Sequence, residues 1–94
     1  MASEKGCRLG LTPDDIRPFE GKRVRFRRVA DTNEYTGVLE KVYIHTSAKG
    51  NTRTKALFRD VEWKDLFSMK RGIKGTLDVD TCRVFHIMGA DDEQ

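Results

Sequence analysis

From Gly21 onward apolar and polar residues alternate. Val24 and Phe26 are interleaved with Arg23, Arg25 and Arg27, so residues 22–29 have the period of two expected of a half-buried strand. Residues 35–45 read as a second, longer strand with Val38, Val42 and Ile44 on one face, and Gly37 inside it marks a bend or bulge. Residues 46–54 have the composition of a loop. Residues 55–63 form a third strand, and residues 64–71 a turn of helix or a long loop. Residues 72–79 and 83–88 form strands four and five, joined by the turn Asp80-Thr81-Cys82. Ahead of the strands, Thr12-Pro13-Asp14-Asp15 is a helix start: a capping hydroxyl, a proline in the first turn and acids at the positive end of the dipole. Pro18 and Gly21 keep that helix to about two turns, enough to lay Leu11, Ile16 and Phe19 across one end of a barrel.

The fold class that follows is mainly β: a five-stranded, strongly bent SH3-like or OB-like barrel behind a short N-terminal helix. Residues 1–10 are expected to be a flexible N-terminus, 11–88 a single domain and 89–94 an acidic tail. Val24, Phe26, Val38, Val42, Phe58, Val61, Val84 and Ile87 are the expected core.

The chain has 94 residues, room for one hydrophobic core. Charged residues make up 35%, and the net charge of +3 is mildly basic, so the distribution of charge matters more than its sum. Lys22, Arg23, Arg25, Arg27 and Arg28 form a run with no acid among them, able to track phosphates or simply to be a solvated strand face balanced by acids on a neighbour. The segment holding Lys49, Asn51, Arg53 and Lys55 adds three cations on what reads as a long loop, a common place for binding. Tyr35, Tyr43 and Trp63 suit base stacking or an aromatic cage, although packing in the core is the commoner use of such residues.

Cys7 and Cys82 are too few and too distant for a disulfide framework, so reduced thiols and an intracellular setting, cytoplasm or nucleus, are expected. No apolar run approaches the roughly 20 residues that cross a bilayer, and no membrane partner is expected. His45, His86 and the two cysteines lack zinc-site spacing. No nucleophile elbow, phosphate loop or dinucleotide fingerprint is present, and the adjacent pairs Asp14-Asp15 and Asp91-Asp92 do not make an acid–base couple. A non-enzymatic protein without cofactor or metal is the expectation.

Gly21-Lys22-Arg23-Val24, Glu34-Tyr35-Thr36-Gly37-Val38-Leu39 and Leu57-Phe58-Arg59-Asp60-Val61-Glu62 together resemble the first sequence block of the Sm and LSm proteins, whose fold is a short helix followed by a five-stranded barrel. The entry Asn33-Glu34-Tyr35 and the ending Phe85-His86-Ile87-Met88 are also similar to the Sm-like Gemin proteins. The chain departs from the family at its RNA contacts. The family's loop Asp and Asn positions fall on Tyr43 and Lys55, with Asn51 as a possible substitute, and its Arg-Gly turn before the last strand reads Asp80-Thr81. The pair Arg71-Gly72 lies before strand four instead.

The resemblance implies a component of a ribonucleoprotein or of its assembly machinery. Its partners would be another barrel subunit, in a homo- or hetero-oligomer, and single-stranded RNA. RNA contact would fall to Lys22, Arg23, Arg25, Arg27, Lys49, Asn51, Arg53 and Lys55. The subunit interface would use strands four and five, through Gly72, Lys74, Thr76, Arg83, Phe85 and Ile87. The rival reading is an SH3-like or Tudor-like protein-interaction module, or a small inhibitor of a host enzyme, that binds no nucleic acid.

Overall fold

In the computed structural model, residues 11–29 and 31–90 are described. Helix α1 (Pro13–Ile16) begins at the expected place. The Thr12 hydroxyl accepts the Asp15 backbone N–H at 3.3 Å, and the Asp15 carboxylate accepts the Thr12 N–H at 3.0 Å, a reciprocal cap. A 3₁₀ turn (Arg17–Phe19) ends the segment. Ile16 is fully buried and closes one end of the core, with Leu11 and Phe19 packed beside it.

Five strands follow: β1 (Arg23–Arg28), β2 (Asn33–Thr46), β3 (Thr52–Asp65), β4 (Arg71–Asp80) and β5 (Val84–Gly89). They form one antiparallel sheet in the order β4-β3-β2-β1-β5. The sheet is not closed into a barrel, which corrects that part of the expectation. A second 3₁₀ turn (Thr81–Arg83) carries the chain from β4, paired with β3, to β5, paired with β1. The Arg83 carbonyl is already bound to the Val29 N–H at 2.7 Å, so Arg83 belongs to this turn rather than to the last strand.

The expected loop at residues 46–54 is a second correction. Only residues 47–51 turn, because Thr46 pairs with Thr52 and Ile44 with Thr54. The polar composition there is that of a two-stranded arm with solvent on both faces, where alternation carries no hydrophobic signal.

A single sheet buries its own face only by curling, and the pairing of β2 with β3 shows how. The register shifts between Thr36 and Val38 and again between Leu39 and Lys41. At Gly37 a Cβ would lie 2.8 Å from a Val61 methyl and 3.0 Å from the Arg59 carbonyl oxygen, so only glycine allows β3 this close. These shifts also decide the faces. Tyr35, Gly37 and Leu39 point inward, Val38 is half-buried on the other face, and Ile44 is exposed, against the expectation that Val38 and Ile44 share the core face.

The rest of the core follows the alternation. Val24, Phe26, Phe58, Val61 and Val84 are fully buried, while Val42 and Ile87 pack against them half-buried. The Phe26 ring stacks on Phe58 at 4.0 Å between centroids and on Tyr35 at 5.3 Å. Tyr35 is therefore a core residue. Its hydroxyl emerges at the corner between β1 and β2, where it donates to the Asp31 carboxylate at 2.7 Å and accepts from the Arg28 guanidinium at 2.8 Å. Arg28 also donates twice to Asp31. Partial burial opposes the charged form of Asp31, but hydrogen bonds from Tyr35, the Asn33 N–H and Arg28 together outweigh it and hold the carboxyl below its ordinary range.

Cys82 is disulfide-bonded, which corrects the expectation of reduced thiols; Cys7 lies outside the described residues. The Leu11 N–H bonds the Val84 carbonyl at 2.8 Å, so the described N-terminal segment already runs beside this turn. No helix among the described residues is long and apolar enough to cross a membrane.

Truncating Phe58 to alanine should lower unfolding free energy by about 3–5 kcal/mol, and Gly37→Ala by about 1–3 kcal/mol through overpacking, both read by urea unfolding. The lowered pKa of Asp31 gives stability that is present above its unfolded pKa and lost as pH falls through the folded value. Asp31→Asn should therefore cost stability at neutral pH and shrink the loss between neutral and acid pH, measured as melting temperature against pH.

Candidate nucleic-acid interface and sheet edges

The cations of β1 point to the outer face of the sheet, and register fixes what each meets there. Arg27 lies opposite Glu34, Glu34 opposite Lys64, and Lys64 opposite Arg71. One row along, Arg25 faces Thr36, Thr36 faces Glu62, and Glu62 faces Ile73. The uninterrupted basic run is thus met by acids from neighbouring strands. Arg25 approaches Glu34 at 3.9 Å. Arg27 lies over the Phe85 ring at 5.4 Å, with its Nε buried and without a hydrogen-bond partner. Arg28 is taken by the Asp31–Tyr35 corner. Lys22 and Arg23 remain exposed at the start of β1.

The same face is hollowed by an open groove of about 500 Å³ between Arg25, Glu34 and Thr36 on one side and Glu62, Lys64 and Arg71 on the other. Trp63 and Gly72 are directly paired at its end. A Cβ on Gly72 would fall 2.8 Å from the indole ring, so the indole lies directly against the β4 backbone.

The second predicted group divides. Lys49 and Asn51 are exposed in the turn at the tip of the β2–β3 arm, where the Ser47 hydroxyl accepts the backbone N–H of both. Arg53 and Lys55 lie on strand β3 and are paired with carboxylates of β4: Arg53 with Asp80 at 3.0 Å and Lys55 with Asp78 at 3.6 Å. Tyr43 joins them, its hydroxyl donating to Asp78 at 2.6 Å, and this hydrogen bond raises the Tyr43 pKa. The structure therefore does not gather the eight predicted cation and amide positions into one basic surface.

Lys64, Lys70 and Arg71, none of them predicted, and Lys74, predicted for the strand-four interface, stand at the β3–β4 turn and its flanks with no ion-pair or hydrogen-bonded side-chain partner among the described residues. Their signal in the sequence is the absence of any acid over residues 66–77.

Both ends of the sheet are open. On β4, Lys74 and Thr76 are exposed and Gly72 half-buried; beside them Ile73 is 83% exposed. On β5, Ile87 turns inward opposite Phe26, while Phe85 and Met88 are exposed. Each edge therefore presents unpaired backbone beside large apolar side chains. Among the described residues no three His, Cys, Asp or Glu side chains gather as a metal site would require.

No protein-family model matches the chain, and no curated protein or solved structure matches it.

Each pair on the arm keeps one partner, Arg53 or Asp78, open to solvent, so salt screens it in part. Asp78→Asn combined with Asp80→Asn should change unfolding free energy by less than about 1 kcal/mol per pair, checked by chemical denaturation.

Proposed function

We propose that this chain is a non-enzymatic binding module that joins a second small β-domain through its sheet edges, as an Sm-like component of a ribonucleoprotein or of its assembly machinery. The observation that carries this reading is the pair of open edges, β4 and β5, each with exposed apolar side chains. Exposed strand edges are pairing templates that proteins usually blunt. Here Ile73 at one edge and Phe85 and Met88 at the other add apolar surface, so main-chain hydrogen bonds and side-chain burial act together in strand addition. The strand order β4-β3-β2-β1-β5 places the two edges at opposite ends of one sheet, which suits head-to-tail joining of like domains.

RNA is the second partner in this reading, contacted through phosphate. Exposed Lys22 and Arg23 support it, whereas the pairing of Arg25, Arg53 and Lys55 with carboxylates favours the rival, a protein-interaction module without nucleic acid. Filter binding of single-stranded RNA at two salt concentrations separates them, because phosphate contacts make affinity fall with salt.

Light scattering on the eluting protein tests the association. A mass above the 10.8 kDa of one chain is expected for the wild type, or for a mixture with its partner domain. Ile73→Lys and Phe85→Pro should each return it toward the single-chain mass, the proline by removing a backbone donor at the edge. Edge variants with unchanged mass, beside an oligomeric wild type, would place the interface elsewhere.

A further inference from the structure

The turn between β3 and β4 is built to hold an aromatic ring in solvent. Asp65 organises it: one carboxylate oxygen accepts the Phe67 N–H at 2.9 Å and the Thr32 hydroxyl at 3.2 Å, the other accepts the Ser68 hydroxyl at 3.0 Å. Backbone bonds from Asp65 N–H to the Lys70 carbonyl and from Met69 N–H to the Asp65 carbonyl close the loop. Met69 adopts a left-handed conformation at φ 64°, uncommon for a bulky residue. The result is Phe67 at 83% and Met69 at 60% exposure on an ordered turn, where a hydrophobic residue gains nothing from folding.

Around this turn stand four cations without an ion-pair partner among the described residues. Lys70 and Arg71 follow it, Lys74 lies further along β4, and Lys64 faces Arg71 across the hairpin. Of the nearby acids, Asp65 has both oxygens occupied by the turn, while Glu34 and Glu62 lie in the groove beside Lys64 and Arg71 without a close ion pair to either. Lys64 and Arg71 also line the outer groove, beside Glu62 and across from Glu34, so the turn and the groove share these two cations. An exposed aromatic beside unpaired cations, opening into a groove, matches the demands of single-stranded nucleic acid: a ring for a base to stack on and charges to track the backbone. A bilayer surface would use the turn but not the groove. A protein interface core would be depleted in lysine.

We infer that the β3–β4 turn is a single-stranded RNA site in which Phe67 stacks on a base and Lys64, Lys70, Arg71 and Lys74 contact phosphates. This site rests on the RNA half of the proposed function, and it lies away from the β2–β3 arm and the Asp80-Thr81 turn, where the Sm family has its RNA-contacting loop and Arg-Gly turn. Stacking tolerates any base, so binding is weakly sequence-selective.

The test uses the full chain with oligouridine and oligoadenine, measuring affinity across a salt series. Phe67→Ala should weaken binding to both by about five- to hundredfold, from the 1–3 kcal/mol typical of a stacked base. Lys70→Ala with Arg71→Ala should flatten the dependence of log K on log salt by about 0.7 for each phosphate no longer neutralised. Arg53→Ala with Lys55→Ala should leave affinity unchanged within about twofold, because those cations are already paired. Four of the five substituted residues in these three variants are exposed and Lys55 is half-buried, and unchanged melting temperatures would exclude unfolding as the cause. A wild type that binds RNA while the Phe67 and Lys70/Arg71 variants bind equally well overturns this site and leaves the RNA reading standing. A wild type that binds no RNA even at low salt overturns both. If phosphatidylserine vesicles, and not RNA, retain the wild type in a Phe67-dependent way, the turn is a lipid-binding surface and the inference fails.

Discussion

The close approach of β3 to Gly37 is the constraint on which the rest of the molecule depends. A single sheet without a second layer has no core unless it curls, and long strands curl where their ladder slips. The register shifts of β2 do this, and a side chain at position 37 would push β3 away at Val61 and Arg59. With the curl in place, Phe26 sits between Phe58 and Tyr35, Ile16 closes one end, and Leu39 and Val61 fill the interior. The same slips turn Val38 out of the core, so one local irregularity sets both the depth of the core and the identity of the outer face.

Curling without closure has a second effect. Because the 3₁₀ turn at Thr81–Arg83 sends β5 to β1 instead of back along β4, the two last strands never meet, and the domain keeps two edges. An isolated chain of this shape carries unpaired backbone and apolar side chains at both ends of its sheet. A partner strand would relieve that incompleteness at either edge.

Strand number, the helix start and part of the core were legible because they rest on local rules: period two in β1, the Thr12–Asp15 cap, and alternation around Phe58; Leu39, Ala56, Leu77 and Val79 are buried without having been expected there. Gly37 was legible as a bulge but its effect on parity was not, since a slip changes the meaning of every later position in the strand. The polar arm reads as a loop in sequence because solvent on both faces removes the alternation on which strand recognition depends. The candidate site was the least legible part. A run of cations in sequence says nothing about which carboxylates lie across the sheet, and Asp78, Asp80, Glu34 and Glu62 face Lys55, Arg53, Arg25 and the groove only after the strands pair. Around the β3–β4 turn, Lys70, Arg71 and Lys74 lie within an acid-free stretch, and glycine, isoleucine or another cation lies nearby.

The contact between Trp63 and Gly72 makes edge strand β4 optically observable. The chain has one tryptophan, and its indole lies on the backbone of that strand. Fraying of β4 from β3 would hydrate the ring while Phe26 and Phe58 stayed stacked. Intrinsic emission would then report local opening of this edge, separately from loss of the core as followed by far-ultraviolet dichroism. If a partner strand clamps β4, its arrival would suppress that opening and appear as a fluorescence change without any label.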